Sequence, residues 1–117
     1  MAVDSETGAS PYAHHDKAPV IKEASAQVRE GERLFQANCA FCHAADGTGK
    51  NWIGSFLEPH PRNLTDPANM SSMTRSRLRK VIREGLSGTT MPAWKSVFNL
   101  KQIDSIIDYI DVAFNPV

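Results

Sequence analysis

The sequence predicts a single all-α domain in which three main helices are joined by long loops. Three segments place apolar residues at helical spacing, no run shows sustained alternation of apolar and polar residues, and no internal repeat occurs. A chain of 117 residues also has the size of one domain. We expect residues 24–117 to form this domain and residues 1–23, which mix charges with Gly, Ser and Pro, to form a flexible arm.

The first helix is predicted over residues 24–38, where good helix formers surround apolar residues at helical spacing. Gly31 lies in its interior, at a cost of about 1 kcal/mol relative to Ala. Its presence there favours a close crossing by another helix. Residues 46–69, which contain three prolines and an apolar patch around Trp52, are predicted to form a loop.

The second helix is predicted to begin after Thr74, a plausible N-cap, and to end near Glu84, before two glycines. The third, over residues 100–114, has the strongest amphipathic pattern in the chain. The second helix carries basic residues and the third carries acidic ones, and we expect this opposite charge to give a dipole that can orient docking with a partner. The residues concerned are Arg75, Arg77, Arg79, Lys80 and Arg83 on the second helix and Asp104, Asp108 and Asp111 on the third.

The composition argues against several classes of partner. Thirteen basic and thirteen acidic side chains give a formal net charge of zero, which is unfavourable for binding nucleic acid or an anionic membrane. No apolar run approaches the roughly 20 residues of a membrane-spanning helix. Residues 1–23 lack the apolar core of a signal peptide, which we expect has been removed or replaced.

The motif Cys39-Ala40-Phe41-Cys42-His43 predicts covalent attachment of one haem. The Cys-x-x-Cys spacing brings two thiols to one edge of a flat ligand, where they can form thioethers with its vinyl groups. The imidazole of His43 can then bind the iron. Three alternative uses of the two cysteines fit less well. A structural zinc site usually needs four ligands and a thioredoxin-like pair needs an α/β domain. A disulfide that closes so short a loop gains little stability.

The second iron ligand is expected to be Met91, because its thioether stands in an irregular segment that can cross the far face of the haem. The indole of nearby Trp94 could reach a haem propionate. Met70 and Met73, just before the second helix, are the main alternative ligands, and the histidines other than His43 are further candidates.

The order of helix, Cys-x-x-Cys-His, long loop, helix, Met-Pro loop and amphipathic helix resembles the class I c-type cytochromes over residues 28–114. The resemblance implies the cytochrome c fold around one covalent haem, with His43 and Met91 as axial ligands. It also implies a proline carbonyl that accepts the N–H of His43, for which Pro59 is favoured over Pro61. Nearby Arg62 and Asn63 are candidate ligands of the propionates.

The resemblance implies a carrier of single electrons, not an enzyme, in a respiratory or related periplasmic chain. We expect a monomer that docks transiently with redox partner proteins, without nucleic acid and without a membrane span. Two other functions stay open at this point. One is a haem subunit or domain of a larger oxidoreductase, and the other is a haem protein that reacts with gases or peroxide through a displaceable distal methionine.

Overall fold

A computed structural model describes residues 13–114 and shows five α-helices and no strand among them. The helices are α1 (Ala26–Asn38), α2 (Ala40–His43), α3 (Pro67–Met70), α4 (Arg75–Glu84) and α5 (Leu100–Phe114). Two single 3-10 turns, Ala13–His15 and Gly54–Phe56, complete the regular structure. The predicted all-α class is confirmed, and α1, α4 and α5 are the three main helices. No helix among these residues is both long and apolar enough to cross a membrane.

The helix ends follow from side-chain caps and from glycine. The Ser25 hydroxyl accepts a hydrogen bond from the backbone N–H of Val28 at 3.1 Å, so α1 begins two residues later than predicted. Thr74 caps α4 as predicted, accepting from the N–H of Arg77 at 3.2 Å. At its other end Gly85 has a φ of 73°, a conformation that terminates the helix at little cost.

The core is built mainly where α1 crosses α5. A Cβ atom added at Gly31 would lie 1.9 Å from the Ser105 carbonyl oxygen and 2.8 Å from Cβ of Tyr109. The close crossing predicted from this glycine is therefore confirmed. Beside it the rings of Phe35, Tyr109 and Phe114 pack with centroids 5.1–5.6 Å apart. This packing fixes the position of the C-terminal end of α1 relative to α5.

Gly31→Ala is expected to lower the free energy of unfolding of the haem-loaded protein by about 2 kcal/mol, because the new methyl group meets main chain that cannot rotate away. Denaturant unfolding followed by circular dichroism measures the change. Ala37→Val, which adds bulk at an exposed position of the same helix, is the control and should cost no more than about 0.7 kcal/mol. Equal losses in the two variants would contradict the close crossing.

Side chains of α4 and α5 pair across the contact between the two helices. Arg75 Nη1 lies 2.7 Å from a carboxylate oxygen of Asp108, and Arg79 Nη2 lies 2.9 Å from one of Asp104. The expectation of two separate faces with opposite charge is wrong for these four residues. Their charges neutralise one another because the helices pack with these faces adjacent. Each pair is partly exposed and contributes little stability, about 0.2–1 kcal/mol.

The described part of the predicted N-terminal arm contacts the domain. Nδ1 of His15 lies 2.6 Å from a carboxylate oxygen of Asp46, and the hydroxyl of Thr48 donates to that carboxylate at 2.6 Å. Burial raises the pKa of Asp46, but hydrogen bonds from Thr48 and His15 outweigh it and hold the pKa below its ordinary value. Residues 1–12 lie outside the described part, and the boundary between arm and domain stays a prediction.

Candidate haem-binding site

A cavity of about 280 Å³ lies against α1, α2, α4 and α5 and is bordered by the loops between them. Much of its wall is apolar core, including Phe35, Leu78, Ile82, Ile106 and Ile110. Seven of the eight predicted site residues line it, namely Cys39, Cys42, His43, Pro59, Arg62, Met91 and Trp94. The eighth, Asn63, lines an adjoining groove of about 830 Å³ that shares residues 59–62 with the cavity.

The two cysteines lie where α1 ends and α2 begins. Cys39 is the residue between the two helices, and Cys42 lies within the single turn of α2. They are not joined in a disulfide. Burial, together with the neighbouring Cys42, raises the pKa of Cys39 to about 12, and burial also raises the pKa of Cys42. Both sulfurs are therefore neutral thiols beside the cavity. A thiol forms a thioether by adding across a vinyl group of the haem.

The imidazole of His43 is oriented by the main chain of a loop. Its Nδ1 lies 3.1 Å from the carbonyl oxygen of Arg62, so Nδ1 carries the proton and donates it. The remaining ring nitrogen, Nε2, is then available for iron. Burial lowers the pKa of His43, although the hydrogen bond to Arg62 opposes this shift, and the ring is in the neutral form that binds metal.

This contact corrects the role expected for Pro59. Pro59 lines the cavity, but the carbonyl that reaches His43 belongs to Arg62, three residues later. Any residue can supply a main-chain acceptor, because the loop conformation alone decides which carbonyl points at the ring. Proline composition was therefore a poor guide to this contact. The Arg62 guanidinium donates to the main-chain carbonyl of Asn69 at 2.5 Å.

Asn51, which the sequence interpretation did not single out, supports the attachment segment from behind. Its side chain is only 7% exposed and donates to the carbonyl oxygens of Ala40 and Phe41 at 3.2 and 3.0 Å. Its own side-chain oxygen accepts from the N–H of Gly54 at 2.6 Å. A polar residue beside an apolar patch was the only signal in the sequence. Asn51 thus fixes α2 against the following loop, and with it the position of His43.

Met91 reaches the cavity from a loop that folds back on the end of α4. Its carbonyl oxygen accepts from the N–H of Leu86 at 3.3 Å, and its N–H donates to the Thr89 hydroxyl at 3.1 Å. Met73 lines the same cavity, whereas Met70 packs against the core without lining it. Two of the three candidate thioethers therefore have access to a ligand in the cavity.

The candidates for the propionates are placed differently from one another. Trp94 lines the cavity and stacks on Phe98, with ring centroids 5.3 Å apart. The Asn63 side-chain oxygen accepts from the N–H and the hydroxyl of Thr65 at 2.9 and 2.6 Å. Asn63 therefore stabilises a turn, and only its amide N–H groups are left to meet a propionate.

The residues present fit a c-type haem. Two thiols, a neutral imidazole with its tautomer fixed and a thioether line one cavity whose other walls are largely apolar. Within residues 13–114, no three His, Cys, Asp or Glu side chains are grouped so that they could hold a metal ion directly. The donor set thus matches a tethered macrocycle and does not match the four-ligand zinc site considered from the sequence.

Two relatives and two solved structures resemble this chain, the relatives in sequence and the structures in fold. The chain is 30% identical over 83 residues to the cbb3-type cytochrome c oxidase subunit FixP of Azorhizobium caulinodans, and 31% identical over 81 residues to subunit CcoP of Cereibacter sphaeroides. These alignments cover 71% and 69% of this chain but only 26% of each relative. The chain thus spans about a quarter of the length of those proteins.

The fold matches two structures at low sequence identity. The c-type cytochrome KustC0563 aligns with a TM-score of 0.62 at 19% identity, over 73% of this chain and 96% of the other. A chain of the Kuenenia stuttgartiensis reducing HAO-like protein complex Kustc0457/Kustc0458 aligns with a TM-score of 0.63 at 22% identity, over 80% and 44%. These matches confirm the predicted cytochrome c fold.

A family model described as "Cytochrome C oxidase, cbb3-type, subunit III" matches residues 26–110, which contain all eight predicted site residues. This range covers most of the chain, from the start of α1 almost to the end of α5. The chain therefore belongs to this family of c-type cytochrome domains and carries a covalent c-type haem.

Proposed function

We propose that this chain is a single-electron carrier domain that serves as the haem subunit or domain of a larger oxidoreductase. In this proposal Cys39 and Cys42 bind the haem covalently, while His43 and Met91 are the axial ligands of its iron. One observation carries the proposal: all four side chains line a single cavity with largely apolar walls. The domain itself transforms no substrate and is not an enzyme.

The haem supplies a one-electron couple between ferrous and ferric iron. The protein's own residues keep the change in structure between these states small. The Arg62 carbonyl holds the His43 ring in one orientation, and Asn51 holds the turn that carries it. A methionine ligand favours the ferrous state and raises the reduction potential. With His43 and Met91 both bound to the iron, no coordination position would be left for a substrate.

The proposal of a place in a larger assembly rests on the relatives. FixP and CcoP are named as subunits of cytochrome c oxidases and are about four times as long as the matching segment. A domain that matches one part of such a subunit exchanges electrons with protein partners. A free shuttle uses the same chemistry with transient partners and is the second candidate. Because c-type haem is attached outside the cytoplasm, we place the domain in the periplasm.

A gas-reactive or peroxide-reactive haem protein is the competing function, and carbon monoxide distinguishes it. A first measurement, the pyridine haemochrome spectrum of denatured protein, establishes the covalent haem. Carbon monoxide is then added to the reduced native protein at neutral pH. We expect slow or negligible binding, because Met91 occupies the position that the gas needs. Rapid, stoichiometric binding would overturn the carrier proposal.

Gly85 gives an independent test of how the Met91 loop is held. Its φ is 73°, and a Cβ atom there would lie 2.8 Å from the Met91 carbonyl oxygen. We expect Gly85→Ala to displace the loop and to weaken the far-red absorption band of the thioether-to-iron bond. Gly88→Ala is the matched control, since φ at Gly88 is 78° but no atom lies within 4 Å of the added group. An equal weakening of the band in both variants would show that backbone strain, and not contact with the Met91 loop, causes the change.

A further inference from the structure

Charge is distributed unevenly along this chain, although its formal sum is zero. Residues 67–103 contain only one carboxylate, Glu84, while the other twelve acidic residues of the chain lie outside this range. The same range contains seven of the thirteen cations: Arg75, Arg77, Arg79, Lys80, Arg83, Lys95 and Lys101. It includes α4 and the loop of Met91, so the strongest excess of positive charge lies beside the proposed second iron ligand.

The ion pairs with α5 neutralise only part of this excess. Arg75 and Arg79 pair with Asp104 and Asp108. Among residues 13–114, the ion pairs leave five exposed cations of this region without a carboxylate, and four of them lie on α4 or in the loop that follows Met91. We call these four residues the basic patch: Arg77, Lys80, Arg83 and Lys95.

The backbone places Arg83 and Lys95 directly after Ile82 and Trp94, two residues that line the cavity and are joined by a main-chain hydrogen bond of 3.0 Å. The N–H of Lys95 donates to the Arg83 carbonyl at 3.1 Å, so the loop that follows Met91 runs beside the end of α4. Leu86 lines the cavity and is 46% exposed, and Val97 is 59% exposed. Exposed apolar side chains beside unpaired cations have the anatomy of a protein interface, with an apolar centre and a charged rim.

We infer that the basic patch docks an acidic surface of a partner protein, which exchanges electrons with the haem on this side of the cavity. The inference rests on the proposed electron transfer and specifies the chemistry of the partner. Charge complementarity selects this occupant, because four unpaired cations repel a basic surface and attract a carboxylate-rich one. Such complementarity mainly accelerates association and orients the encounter.

Oxidation of the reduced, haem-loaded protein tests the patch with small oxidants of opposite charge. One electron passes from ferrous iron to hexacyanoferrate(III), an anion, or to tris(phenanthroline)cobalt(III), a cation, and each oxidant is reduced by one electron. At low ionic strength, Lys80→Glu, Arg83→Glu and Lys95→Glu should each lower the rate of oxidation by the anion about threefold or more and raise the rate of oxidation by the cation. The control Lys22→Glu makes the same charge change on an exposed residue outside the patch and should change either rate by less than about twofold.

Contact with an acidic chain is measured directly by nuclear magnetic resonance. A peptide of eight glutamates is titrated into the reduced holoprotein, and backbone amide shifts are mapped. We expect shifts concentrated at the basic patch and at Leu86 and Val97, and their loss in Lys80→Glu. The docking surface would be excluded if the shifts were spread evenly over the protein, or if the patch variants reacted at the same rates as Lys22→Glu. In either case the wild type would still be oxidised rapidly. Slow oxidation of the wild type by both reagents would instead overturn the proposed electron transfer and, with it, this inference.

Discussion

Met91→Ala is expected to abolish the far-red absorption band of the protein and to let carbon monoxide bind the ferrous iron rapidly. Removing the thioether leaves the iron with one open axial position, which small ligands can enter. The reduction potential should fall as well, because the weak sulfur donor no longer favours the ferrous state. Absorption spectroscopy, stopped-flow mixing with carbon monoxide and a redox titration measure the three effects.

Met73→Ala is the matched control for this experiment. Met73 lines the same cavity and loses the same side-chain atoms, but it approaches from the segment before α4. We expect this variant to keep the band and to lose only packing, about 2–5 kcal/mol of stability. If Met91→Ala kept the band while Met73→Ala lost it, Met73 would be the ligand, and Met91 would only line the cavity.

His43→Ala is expected to prevent the accumulation of stable holoprotein. In the proposed site His43 would bind the iron, and without its imidazole the haem would be held only by the two thioethers of Cys39 and Cys42. Without a stably held haem the chain loses the apolar group that completes its core, and a small domain has only about 5–15 kcal/mol of stability in total.

The yield of haem-stained protein and far-ultraviolet circular dichroism check this prediction. We expect little haem protein from His43→Ala, and a largely unfolded chain where apoprotein is recovered. His60→Ala serves as the control because His60 also lines the cavity, but its Nδ1 lies 3.1 Å from the carbonyl of Gly54. It should load haem normally. Normal loading of His43→Ala, with an unchanged spectrum, would exclude His43 as an axial ligand.

The sequence predicted the features that depend on side chains acting locally. Thr74 caps its helix because a hydroxyl reaches the third N–H along the chain, which involves no distant residue. Gly31 revealed a tertiary contact because a glycine inside a helix is costly without one. The Cys39-Ala40-Phe41-Cys42-His43 motif predicted the haem, which family membership supports. The assignment of individual ligands stays a prediction until the variants are measured.

Other features could not be predicted because they depend on how distant segments meet. The single-turn helices α2 and α3 are too short to show a periodic pattern. The pairing of Arg79 with Asp104 depends on which faces of α4 and α5 meet, and neither residue reveals this alone. The acceptor for His43 is a carbonyl group that every residue possesses. Its position follows from the path of the loop, so no residue type could have identified it.

The two contacts of Arg62 have a mechanical consequence. Its carbonyl holds the ring of His43, while its guanidinium grips the main chain at Asn69, the third residue of α3. One residue therefore links the iron side of the protein to the segment that leads into α4. Because both contacts belong to Arg62, a change in the position of this segment when a partner binds near α4 would also act on the hydrogen bond that orients the imidazole.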